Sequence, residues 1–111
     1  MKVSAVLLVM AGVACAGVAS ASARISDVDY MKANRCKGLA MSLGGDTAGL
    51  DALIKVEGRT RAEAIVLRAE DELARGKREA AKADLKDRLT AELNGPCVAY
   101  MSAGKEAAGG H

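Results

Sequence analysis

The chemistry open to this 111-residue chain is bounded by three cysteines, one histidine, 16 basic and 14 acidic side chains. His111 closes a Gly-Gly tail, where no neighbour can hold its ring for proton transfer or metal binding. Ser26, Thr47 and Thr60 stand where helices should begin, with no base in register to activate a hydroxyl. Most acids have a basic residue three or four positions away, as in Asp71–Arg75, Glu79–Lys82 and Asp84–Arg88. Such pairs each stabilise an exposed helix by about 0.2–0.5 kcal/mol, and none is the split-pKa carboxylate pair that acid–base hydrolysis needs. There is no C-x-x-C-H run and no histidine pair. Met31, Met41 and Met101 are scattered, as gap-fillers of a core without Phe or Trp would be. The expectation is a protein that performs no catalysis and uses no metal or cofactor.

Two sets of residues remain. Cys36 and Cys97 are the pair left over if Cys15 departs with a leader, and an even pair in an oxidising compartment is expected to form a disulfide. Closing a loop of about 60 residues would contribute about 4 kcal/mol in the chain-entropy account. Arg75, Arg78, Lys82 and Lys86 follow one another at i, i+3, i+7 and i+11, the spacing of a basic stripe along one side of a helix. Such a stripe could seat an anionic partner, whether lipid headgroup, phosphate or acidic protein. Asp71 and Glu79 interleave with it and cancel part of the field, as on an ordinary solvated face.

The compartment is suggested by residues 1–23. Lys2 precedes an uncharged stretch from Val3 to Val18, and Ala19-Ser20-Ala21-Ser22-Ala23 offers small-residue cleavage sites, so a signal peptide ending at Ala23 is expected. The apolar run falls short of the roughly 20 residues of a membrane span, and no span is expected in the mature chain. Gly12-Val13-Ala14-Cys15 only loosely resembles a bacterial lipobox, Leu-Ala-Gly-Cys, since Gly12 replaces its large aliphatic residue. Losing the leader removes Lys2 alone from the charge balance. A nearly neutral mature chain with two aromatics, Tyr30 and Tyr100, is not the profile of a nucleic-acid binder.

The elements that must position these residues are helical. Ser26 followed by Asp27 and Asp29 marks a helix start, Gly44-Gly45 its end, and apolar residues at Val28, Met31, Cys36, Leu39 and Leu43 recur near 3.6. Asp46 or Thr47 opens a second helix with Leu50, Leu53 and Ile54 on one face, stopping at Gly58. Thr60-Arg61-Ala62-Glu63 has capping-box spacing and begins a long run that Asn94-Gly95-Pro96 ends.

That run carries two unrelated apolar faces, Ile65, Val66, Ala69, Leu73 and Ala80 against Leu85, Leu89 and Leu93. Unbroken, it would span about 51 Å beside a first helix of about 25 Å. It would then carry Cys97 out of the roughly 7 Å Cα–Cα reach of a disulfide with Cys36. A bend is therefore expected at Gly76, the only glycine between Thr60 and Asn94. The predicted fold is an all-α small helical bundle with one disulfide. Its helices are 27–43, 47–57, 61–75 and 78–93 within a domain 24–103, followed by a disordered tail 104–111. Function is expected to be binding: a periplasmic or secreted protein engaging another envelope component. The alternative is a structural protein held at the membrane surface by lipid on Cys15 or by the basic stripe.

Overall fold

The computed structural model describes residues 25–109; the expected leader, Cys15 and His111 lie outside them. The described residues are all-α, with no strand. In order come α1 (Asp27–Leu43), α2 (Ala48–Gly58), α3 (Glu63–Ala80), a 3₁₀ turn (Ala83–Leu85), α4 (Lys86–Asn94) and α5 (Pro96–Gly109). α1 follows its local signals. The Ser26 hydroxyl accepts from the Asp29 amide at 3.0 Å, and Gly44 ends the helix at φ +82°, a conformation open to glycine without strain. At α2, Asp46 Oδ1 accepts from the Ala48 amide at 2.9 Å, and the Thr47 hydroxyl donates to Asp51 at 3.0 Å. The second helix therefore begins one residue later than expected.

α1 and α3 lie side by side and run the same way. Arg61, just before α3, meets Asp27 at one end, and the Ser42 hydroxyl donates to the Lys77 carbonyl at the other. Glycine brings them close. A Cβ on Gly76 would lie 2.8 Å from the Arg35 carbonyl oxygen, and one on Gly38 would meet the Leu73 carbonyl. The expected bend at Gly76 is thus corrected: the helix runs through to Ala80, and this glycine serves close packing instead of a turn. The break comes at Ala81–Lys82, where Lys82 is extended at ψ 123°. That change of direction returns Leu89 and Leu93 to the core, which resolves the conflict between the two apolar faces.

The core gathers Leu39 from α1, Leu50 from α2, Leu89 from α4 and Cys97 from α5, all fully buried. Cys36 and Cys97 are joined, with Cα atoms 5.7 Å apart. In so small and alanine-rich a chain the bridge is a large part of the stability, about 4 kcal/mol for its loop length. The expected disordered tail is also corrected. α5 continues to Gly109, because Gly104 is buried against Gly49 of α2 so closely that a Cβ on either would strike the other helix's backbone.

Candidate functional site

Three polar regions stand on this frame. The first lies below the start of α3. The Arg61 side chain donates to Asp27 at 2.7 Å, to the Ile25 carbonyl at 2.6 Å and to Glu57 Oε1 at 2.8 Å, and its guanidinium lies 5.1 Å from the Tyr30 ring centre. Glu57 in turn accepts from the Ile25 amide at 3.2 Å. The Arg61 and Glu57 side chains are only 8% and 4% exposed. Burial works against the Arg61 charge, yet the hydrogen bonds to Asp27 and Glu57 outweigh it and raise its pKa. The expected capping box at Thr60 is absent: the cap position is Ala62, with no side-chain bond, and Arg61 folds inward instead of opening the helix. With every group engaged, this cluster is cement.

The second region is the turn between α3 and α4. The predicted stripe does not form as one line, because Lys82 stands in extended backbone and Lys86 starts a separate helix. Arg75 leaves the set: its guanidinium pairs with Glu72 at 3.3 Å and with Glu79 at 3.9 Å. Arg78, Lys82 and Lys86 are joined by Lys77, which the sequence reading did not single out. All four are exposed, and none forms an ion pair among the described residues. Two exposed acids, Asp84 and Asp87, share the segment. Glu79 is already committed: the hydrogen bond from Arg35, with help from Arg75 and Arg88, lowers its pKa.

The third region is a cleft of about 340 Å³ where α1 meets the junction of α4 and α5. Lys32, Arg35 and Cys36 line one side, Glu92, Pro96, Cys97 and Tyr100 the other. Arg35 donates to both oxygens of Glu92, at 2.8 and 3.1 Å, and pairs with Glu79 at 2.9 Å. The Glu92 bonds dominate in holding its charge on. The Tyr100 hydroxyl donates to Asp29 at 2.8 Å, and burial together with that bond pushes its pKa up to about 12. The sequence reading missed this cleft because its walls come from stretches far apart in the chain. Only the disulfide pairing of Cys36 with Cys97 hinted that they meet.

No group of three or more His, Cys, Asp or Glu side chains is placed to hold a metal ion among the described residues. No helix among them is long and apolar enough to cross a membrane. No family model, curated protein or solved structure matches the chain.

Proposed function

We propose that this chain is an exported, non-catalytic protein that binds another envelope component, and that the partner's contact surface is anionic. One observation carries the reading: Lys77, Arg78, Lys82 and Lys86 crowd the α3–α4 turn, exposed and without ion pairs among the described residues. Arg35, Lys37 and Arg61, by contrast, are paired with carboxylates of the fold. Uncompensated cations raise the local concentration of an anionic partner and speed its docking. Export is supported by the Cys36–Cys97 bridge, since such bonds persist in oxidising compartments. The leader-like residues 1–23 point the same way.

The alternative of attachment to the membrane surface keeps the same cations and exchanges the partner for lipid headgroups, with or without acylation at Cys15. Retention of the mature chain on immobilised envelope proteins and on anionic phospholipid vesicles tells them apart. Capture by protein and not by vesicles supports the first reading; capture by vesicles supports the second. In either case retention should fall as salt rises through about 0.15 M, and Arg78→Glu with Lys82→Glu should abolish it. No retention on either surface, or retention indifferent to the double reversal, refutes the anionic-contact reading. Mass spectrometry of the mature N-terminus adds the anchor: a free Arg24 means none, an acylated Cys15 means one.

A further inference from the structure

The two asparagines of this chain are placed very differently. Asn34 is buried in α1, where its side-chain amide donates to the Tyr30 carbonyl at 3.0 Å. Asn94 is the last residue of α4, and Gly95 stands between it and α5 with φ −116° and ψ −97°. Both Asn94 and Gly95 are exposed. The Asn94 side chain makes no hydrogen bond among the described residues. The Gly95 amide donates to the Glu92 carbonyl at 3.3 Å, longer than a regular bond of about 2.9–3.0 Å. Glycine also leaves the space beside that amide open. Apart from its chain neighbours, only the Ala91 carbonyl oxygen would come within 4 Å of a Cβ there.

We infer that Asn94–Gly95 is a site of spontaneous covalent modification, with the chain's own backbone amide as nucleophile and water as the only co-reactant. Gly95 N gives its proton to hydroxide and attacks Asn94 Cγ. The new N–Cγ bond closes a five-membered succinimide, the Cγ–Nδ2 bond breaks, and Nδ2 takes up a proton and leaves as ammonia. Water then opens the ring. Cleavage at Cγ leaves an ordinary aspartate, and cleavage at the main-chain carbonyl leaves isoaspartate, in which the backbone runs through Cγ. Adjacency on the chain supplies the high effective concentration that such a ring closure needs. The last turn of α4 must open for the attack, and helix ends fray at little cost. Both products place a carboxylate at the negative end of α4, which the helix dipole opposes. The iso form also adds a main-chain atom between Leu93 and Cys97, both of them buried and the second held by the disulfide. The modified corner is therefore looser. This site is independent of the surface proposed above, because it uses none of the same residues.

Ageing the oxidised, nitrogen-labelled protein in mildly alkaline buffer tests it. The chain has two asparagines and no glutamine, so its nitrogen–proton spectrum holds two side-chain amide pairs. The Asn94 pair should fade exponentially, faster as pH rises, while the Asn34 pair persists. Fragmentation mass spectrometry should find the succinimide and then isoaspartate at position 94. Gly95→Ala, which adds a Cβ 3.0 Å from the Ala91 carbonyl oxygen, should slow the loss about tenfold. Asn94→Gln, a change at an exposed position that would need a larger ring, should slow it at least as much and serves if Gly95→Ala does not fold. Aged wild type should melt about 4–8 °C lower than fresh protein, and aged Asn94→Gln should not. The denaturant-unfolded chain gives the reference rate. If the folded protein keeps its Asn94 pair while the unfolded chain loses its own, the site is overturned. Equal loss of both pairs, or loss at an unchanged rate in Asn94→Gln, overturns it as well.

Discussion

The two ends of α3 are both marked by cations, and the fold treats them in opposite ways. At its start Arg61 is folded under the helix, bonded to Asp27, Glu57 and the Ile25 carbonyl, and laid over Tyr30. At its finish Lys77, Arg78 and Lys82 stand in solvent with no carboxylate drawn to them among the described residues. Burying a guanidinium is tolerable only when nearly every donor is matched, and the start of α3 meets that condition. A surface cation needs no partner, so exposure at the other end costs nothing in folding. The same residue types are thus structural at one end and available at the other.

The largest test of that contrast is Arg61→Ala. It leaves Glu57, 4% exposed, without its cation, and removes the tie between the starts of α1 and α3. A loss of about 3 kcal/mol in chemical denaturation is expected, the lower end for breaking a buried pair because Asp27 can turn to water. A loss below about 0.5 kcal/mol would show the cluster to be ornamental and the contrast false.

A smaller effect sharpens the same contrast through pH. Tyr100 reaches the first turn of α1 by donating to Asp29, and its pKa lies near 12. An unperturbed tyrosine titrates near 10. Because the folded value is the higher, the stability this proton confers is complete below about pH 10 and is lost between about 10 and 12. Ultraviolet titration of the wild type minus Tyr100→Phe should place this ionisation near 12, and Asp29→Asn should bring it back toward 10. Ionisation near 10 in the wild type would mean that the phenol is not engaged as described.

How much of this was legible beforehand depends on how local the cause was. Ser26 and Gly44 bound α1 through contacts within a few residues, so the sequence showed them directly. The bridge followed from counting cysteines, and the two apolar faces of the long run required a break somewhere. The place of the break did not follow. A glycine permits either a turn or a close approach, and Gly76 was settled by the Arg35 carbonyl, a group distant in sequence. Gly104 misled in the same way: it looked like the start of a loose tail, and its contact with Gly49 keeps it helical. Arg35, Arg61 and Lys32 looked like any surface cations, since what distinguishes them lies on other helices.

The smallest expected effect is the most informative about function. Arg78→Glu with Lys82→Glu changes four units of charge at a turn where neither side chain is buried or paired among the described residues. If that end of α3 is free of structural duty, the double variant should melt as the wild type does, within about 0.5 kcal/mol. Unchanged stability with lost retention on the anionic surface would assign these cations to recognition alone. A loss of more than about 1 kcal/mol would reveal contacts that exposure does not suggest, and the two ends of α3 would then differ in degree only.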